Sequence, residues 1–168
     1  SLGHRVEVVD DFSNGHLEFL DQNKFRVTPA GLLPSFLEAK PDLSEIEVLV
    51  IEGDFSHENV LTRVASGVYD VVFHQAAIPR VLFSVENPSE TTHTNIGKTV
   101  SLLEACINSV DRVVFASSSS VYGGPDEMPI KEDTPKNPRS PYAWQKSAIE
   151  DCAKVFGSLY DLDIVCLR

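Results

Sequence analysis

Apolar and β-branched residues recur along this chain in five short runs, most closed by acidic, small or turn-forming residues. They are Arg5–Val9, closed by Asp10-Asp11; Glu47–Ile51, closed by Glu52-Gly53; Asp70–His74; Arg112–Ala116, which runs into a serine cluster; and Asp163–Leu167. Runs of this length and composition read as β-strands. Between them the spacing becomes helical over His57–Ser66, over Pro88–Ser109, where Ile96, Val100, Leu103 and Ile107 share one face, and over Tyr142–Tyr160. Leu32–Ala39 reads as a short helix, set off by the break at Pro41–Ser44. Phe12–Pro34 reads as irregular, with turn chemistry at Ser13-Asn14-Gly15, and Ser117–Pro141 as a long proline-bearing loop. Strands alternating with helices predict one α/β domain with a parallel sheet. The near-continuous apolar character of the strands predicts that both faces of the sheet are covered.

Composition narrows the function. A chain of 168 residues is long enough for one cored domain. Its net charge of -11, without a Lys/Arg cluster, argues against a nucleic-acid partner. Phosphate ligands stay open, because backbone amides hold phosphate without a basic surface. Cys106, Cys152 and Cys166 are odd in number and lie in apolar runs, as reduced core cysteines of a cytoplasmic protein do. No apolar stretch has the length of a membrane span, and there is no signal peptide. His74 has no second ligand at metal spacing, so no metal is expected. The chain opens on Ser1-Leu2-Gly3-His4 without an initiator Met and stops at Leu167-Arg168, at the end of an apolar run. Both ends are read as interrupted.

The chemistry centres on Tyr142-Ala143-Trp144-Gln145-Lys146. Four residues apart on a helix, Tyr142 and Lys146 share a face. A phenol ionises only near pH 10, but a neighbouring ammonium favours the phenolate and makes a usable base. Alone, such a pair is equally a surface i,i+4 contact. What precedes it adds weight: Val113-Val114-Phe115 runs into Ala116-Ser117-Ser118-Ser119-Ser120-Val121-Tyr122-Gly123. In open α/β sheets ligands bind at the carboxyl ends of strands, where a hydroxyl cluster can hold a reacting oxygen.

These segments together resemble the extended short-chain dehydrogenases/reductases, in particular the NAD-dependent epimerase/dehydratase group of the UDP-glucose 4-epimerase type. The resemblance covers nearly the whole chain. It implies a Rossmann-like doubly wound parallel sheet that here lacks its first strand and glycine-rich loop. Residues 1–168 would be an incomplete NAD-binding domain without the C-terminal substrate domain. In the order 3-2-1-4-5-6 the missing strand is central, so the strands ending at Asp10 and Glu52 would be cut off from the other three. Val9-Asp10-Asp11-Phe12-Ser13-Asn14-Gly15 resembles the ribose-binding segment, with Asp10 on the adenosine ribose and Asp11, Phe12, Asn14 and Gly15 around it. Glu52-Gly53-Asp54-Phe55 resembles the adenine contact, which implicates Asp54 and Phe55. His74-Gln75-Ala76-Ala77 resembles the small-residue turn that lets the backbone approach the cofactor. Asn95 matches the helix asparagine that supports the active site, and Ala116 the strand end beside the nicotinamide. A carboxylate on the ribose favours NAD over NADP.

By the same resemblance Ser118 orients the substrate, with Ser119 as the alternative, Tyr142 is the acid/base, and Lys146 tunes it and anchors the ribose. The cycle implied is loss of the O4 proton to Tyr142 with hydride transfer to NAD, rotation of the 4-keto sugar, and return of hydride to its other face. The substrate would be a UDP-hexose or UDP-hexuronate, and the full-length protein a homodimer. Ser118-Ser119-Ser120 lacks the acidic pair that dehydratases of the group carry, which favours epimerisation over the same-family alternative, a dehydratase or decarboxylase. A non-catalytic NAD-binding scaffold or sensor is the alternative from another class. Arg80-Val81-Leu82-Phe83-Ser84 departs from the group's usual sugar-facing run.

Overall fold

The computed structural model describes residues 4–19, 25–33, 48–124 and 128–168. Among the described residues six strands form: β1 (Val6–Asp10), β2 (Phe25–Pro29), β3 (Val48–Glu52), β4 (Val71–His74), β5 (Arg112–Ala116) and β6 (Asp163–Leu167). Helices are α1 (Glu58–Ala65), α2 (Val81–Glu86), α3 (Pro88–Thr92), α4 (Thr99–Cys106) and α5 (Pro141–Tyr160). All strand pairings are parallel, in two sheets of order β1-β3-β2 and β4-β5-β6. The five expected strands all form, each within about a residue of its expected bounds. The strands ending at Asp10 and Glu52 pair with each other and, among the described residues, with none of β4, β5 or β6.

Three expectations are corrected. The segment Phe12–Pro34 is not irregular throughout. Phe25–Pro29 forms β2, which pairs along the whole of β3, and short 3-10 turns lie at Leu17–Phe19 and Ala30–Leu32. Pro29 is tolerated because β2 is an edge strand and Pro29 its last residue, where no ladder N–H need be missed. The expected helix over Leu32–Ala39 and the break at Pro41–Ser44 fall almost wholly outside the described residues.

The second correction concerns Pro88–Ser109, which is not one regular helix. α3 passes through a π-helical stretch, His93–Lys98, into α4, and ends at Cys106. Its buried stripe begins with Thr91, Asn95 and Thr99 and becomes apolar only at Leu102, Leu103 and Cys106. Of the four apolar residues expected on the inner face only Leu103 is fully buried; Ile96, Val100 and Ile107 are half-buried. The wide turn shifts the helix phase, so a single 3.6-residue period does not describe both ends.

Third, among the described residues the sheets are covered on one face only. Val72, Val113 and Ile164 sit side by side in register and join Val64, Leu102, Leu103, Cys106 and Leu162 in the larger core cluster. On the opposite face Phe73 and Val165 flank Val114 and are exposed, as are Val6 and Val8 of β1. Among the described residues no helix lies over these positions.

The sheets are joined by helix packing and by a buried charged cluster. Arg63 of α1 makes a two-pronged ion pair with Glu7 of β1, at 2.7 and 2.9 Å, and its Nε also reaches Tyr69 Oη at 3.0 Å. The Tyr69 hydroxyl donates to Glu7 at 2.5 Å. Burial pushes the Glu7 carboxyl up, but the bonds from Arg63 and Tyr69 outweigh it and hold Glu7 below the ordinary range. Every charge in the cluster has a partner, which a buried charge requires.

Candidate active site

The expected functional residues lie at the carboxyl ends of β1, β3, β4 and β5, on the first turns of α5 and, for Asn95, in the π-helical stretch His93–Lys98. α5 starts where it does because Ser140 accepts the Ala143 N–H at 3.1 Å and Pro141 takes the first helical position. This places Tyr142 and Lys146 one turn apart, both nearly buried, with Lys146 Nζ 5.9 Å from the Tyr142 ring centre. The Tyr142 backbone N–H donates to Ser84 Oγ at 3.1 Å, which fixes the helix start against α2. Lys146 Nζ donates to the Ala116 carbonyl at 2.8 Å and lies 4.6 Å from the Phe115 ring centre. The lysine thus docks on the last residue of β5. Burial lowers its ammonium to about 8.

Ser118 begins a 3-10 turn, Ser119–Tyr122, and its Oγ accepts from Ser120 N at 3.1 Å and Ser120 Oγ at 2.8 Å. With its lone pairs so engaged, the hydroxyl is left to donate its proton. Ser119 is exposed. Behind the cluster Glu150, one turn beyond Lys146, accepts from Ser117 Oγ at 2.5 Å and from Arg168 at 2.8 and 2.6 Å. Burial raises its carboxyl, but Arg168 and Ser117 outweigh this and hold it ionised below the usual range.

At the other end of the site, Asp10 Oδ1 accepts the Phe12 N–H at 2.8 Å, with Phe12 in a left-handed conformation at φ 53. Gly15 folds back onto this carboxylate so closely that a Cβ would stand 3.0 Å from Asp10 Oδ2. Asp11 accepts from Ser13 N at 2.9 Å and is exposed. Asp54 Oδ1 holds Ser56 through its N–H and hydroxyl, at 2.8 and 2.7 Å, and Oδ2 is ion-paired with Lys98. The Phe55 ring turns inward, 4.9 Å from the His74 ring centre. Gln75 and Ala76 are exposed and Ala77 half-buried. Asn95 is buried and bonds both backbone groups of Ile78, at 2.8 and 3.1 Å.

Most of the expected residues form two clusters, while Asp54 and Phe55 follow β3 and Gln75, Ala76 and Ala77 follow β4. Ser118, Ala116, Tyr142 and Lys146 gather around the end of β5, with Asn95 beside them. Asp10, Asp11, Phe12, Asn14 and Gly15 gather after β1. Arg80 bridges toward the second, its Nη2 donating to Asn14 Oδ1 at 2.9 Å. Sequence reading missed Arg80, Lys98, Gln145 and Glu150. Arg80 carried a signal as the first residue of the divergent run, and Gln145 and Glu150 through their place on the Tyr-Lys helix.

Between the two clusters His74 is wedged against Phe55 and Phe115, with Nε2 2.9 Å from Thr99 Oγ1. Burial, assisted by the Lys146 charge, lowers it to about 4. The unfolded chain protonates near 6.5, so this stability is complete above that pH and is lost as pH falls toward about 4. We expect the protein to lose roughly 3 kcal/mol between pH 7 and 4 relative to His74→Asn, which has no such proton to take up. Urea midpoints of the two proteins at stepped pH check this; parallel profiles would refute it.

Known proteins resemble this chain over most of its length. The model of the NAD dependent epimerase/dehydratase family matches residues 2–168. UDP-glucuronate 4-epimerase 3 of Arabidopsis thaliana is 39% identical over 140 residues, which cover 80% of this chain and 33% of that protein. The UDP-N-acetylglucosamine 4-epimerase of Methanobrevibacter ruminantium, solved with UDP-N-acetylmuramic acid, superposes with a TM-score of 0.78 at 32% identity, over 98% of this chain and 46% of its own. The Thermus thermophilus UDP-glucose 4-epimerase complex with NAD gives 0.78 at 30% identity, over 99% and 47%. The chain spans less than half the length of these relatives.

Proposed function

The chain belongs to the NAD-dependent epimerase/dehydratase family, and from that premise we propose that residues 1–168 are the dinucleotide-binding part of a nucleotide-sugar 4-epimerase acting on a UDP-hexose or UDP-hexuronate. The observation that carries the reading is the pairing of Tyr142 with a buried Lys146 docked on the end of β5, beside a serine whose hydroxyl is left to donate.

The residues present fit NAD. The Asp10 carboxylate, with Gly15 closed over it, offers acceptors for ribose hydroxyls. Asp54, with Asp11, Phe12 and Asn14, would line the adenosine end, and Gln75, Ala76 and Ala77 would form the small-residue turn. NAD, when bound, supplies the hydride acceptor and donor for C4. Tyr142 holds and moves the O4 proton. Lys146 brings positive charge toward the phenol and reaches the ribose. Ser118 donates to the sugar oxygen and keeps it aligned. An acid able to eliminate water is what a dehydratase would need here. The carboxyl behind the serines is Glu150, which is ionised and fully engaged. This favours epimerisation.

Homodimerisation through Pro88–Ser109 and Tyr142–Tyr160 is part of the proposal; Val155, Leu159 and Tyr160 of α5 are exposed, as such a face requires. So is a cytoplasmic location. No helix among the described residues is long and apolar enough to cross a membrane.

The test uses the full-length protein with NAD and, in turn, UDP-glucose, UDP-glucuronate and UDP-N-acetylglucosamine. The expected product is the C4 epimer with no net NADH. Accumulation of a 4-keto-6-deoxy sugar, or no epimer from any substrate, would overturn it.

A further inference from the structure

Gln145 stands between Trp144 and Lys146 with nothing in its immediate sequence to mark it. Its side chain is nonetheless fully buried, with every polar atom engaged. Nε2 donates to Thr91 Oγ1 and Thr92 Oγ1, each at 3.0 Å, and Oε1 accepts from Asn95 Nδ2 at 2.8 Å. The direction of these bonds is determined. Asn95 Oδ1 accepts the Ile78 N–H and Nδ2 donates to the Ile78 carbonyl, which fixes the amide's orientation and leaves one Nδ2 proton for Gln145. Gln145 must then present its oxygen to Asn95 and its nitrogen to the threonines. Thr91 itself donates to the Asn87 carbonyl at 3.0 Å, so it too can only accept from Gln145. A directional chain therefore runs between the α3 backbone and the Ile78 backbone, with Gln145 at its centre.

Its end and its centre matter differently. The Ile78 end closes the turn Gln75-Ala76-Ala77-Ile78, on which the small residues stand. Gln145, at the centre, lies in α5 between Tyr142 and Lys146. We propose that Gln145 is a positioning residue of the reaction, acting through Asn95 to hold the 75–78 backbone in register with Tyr142 and Lys146. The inference rests on the epimerase reading for its catalytic part. Its binding part, an effect on NAD affinity, stands separately.

The experiment is a double-mutant cycle in the full-length protein with Gln145→Met, which keeps length and removes the polar atoms, Asn95→Ala, and both together. NAD affinity by calorimetry, kcat and KM for epimerisation, and thermal midpoint are read for each. Gln145→Met is expected to weaken NAD binding and lower kcat by about tenfold each, with sugar KM changed less than threefold, and to add less than twofold in the Asn95→Ala background. Gln145→Glu, which burial keeps protonated, still presents an oxygen to Asn95 and an O–H to the threonines, and is expected to retain NAD affinity within about threefold of the parent. It decides the matter if the Met variant does not fold. A purely structural glutamine would lower the thermal midpoint while leaving NAD affinity and kcat of the folded protein unchanged, or would add its full effect to Asn95→Ala, and either result overturns the proposal. A parent that binds NAD without epimerising defeats the epimerase reading alone; a parent that does not bind NAD defeats both.

Discussion

Replacing Tyr142 by Phe in the full-length protein is expected to lower epimerisation by about two to four orders of magnitude, the usual contribution of a positioned acid/base, while NAD affinity changes less than threefold. The separation follows from the geometry. Tyr142 is anchored through its backbone, by the N–H bond to Ser84, and through a ring that is nearly buried. Phenylalanine keeps both and removes only the hydroxyl. Lys146 keeps its bond to Ala116 whatever the residue at 142. Steady-state turnover and calorimetric NAD titration on the same preparation check the result. A variant retaining a third or more of parental kcat would remove Tyr142 from the chemistry and leave the proton transfer to another group.

The largest effect on stability is expected at Gly123. It closes the serine turn in a left-handed conformation, φ 69 and ψ 16, and a Cβ there would lie 1.8 Å from the Asn137 carbonyl oxygen. The obstacle is backbone, held in place by the Asn137 N–H bond to the Val121 carbonyl at 2.9 Å, so it cannot rotate aside. Gly123→Ala must break that bond or reshape the turn that begins at Ser118. We expect a loss of at least about 3 kcal/mol, placing it among the severe single substitutions. Gly124 is the internal control. It too is left-handed, at φ 77, but has nothing within 4 Å of the added carbon, so Gly124→Ala bears only the conformational cost of about 1 kcal/mol. Denaturant unfolding of both variants isolates the clash. If they agree within about 1 kcal/mol, the close approach of the two segments is not what requires glycine.

Much of the architecture was legible because its signals are local. Five strands showed as β-branched runs, and α5 showed through Ser140-Pro141 at its start and the Tyr-Lys spacing within. β2 was not legible. Phe25-Arg26-Val27-Thr28-Pro29 is half polar and ends in proline, and what makes it a strand is pairing with β3, more than twenty residues on. The polar stripe of α3 and α4 was hidden for a related reason. Thr91 and Asn95 are buried because Gln145, some fifty residues away, satisfies them. Periodicity sees apolar faces, and this face is held by hydrogen bonds instead. Motif residues such as Ser118, Tyr142 and Lys146 were found because their types and order resemble a family's. Lys98 and Arg80 belong to no such pattern, and only the fold brings them to Asp54 and Asn14.

Lys146 has a consequence for how sequences of this kind drift. Its ammonium is buried and lowered from 10.5 to about 8, so the folded state holds that proton less tightly than the unfolded chain does. The resulting penalty is present in full below about pH 8 and is relieved only as pH rises toward 10.5. The bond to Ala116 offsets part of it. A population selected for folding alone would therefore shed this lysine for an apolar residue of similar length, and one selected for turnover would keep it. The identity of residue 146 across a set of descendants thus records which of the two pressures they have lived under.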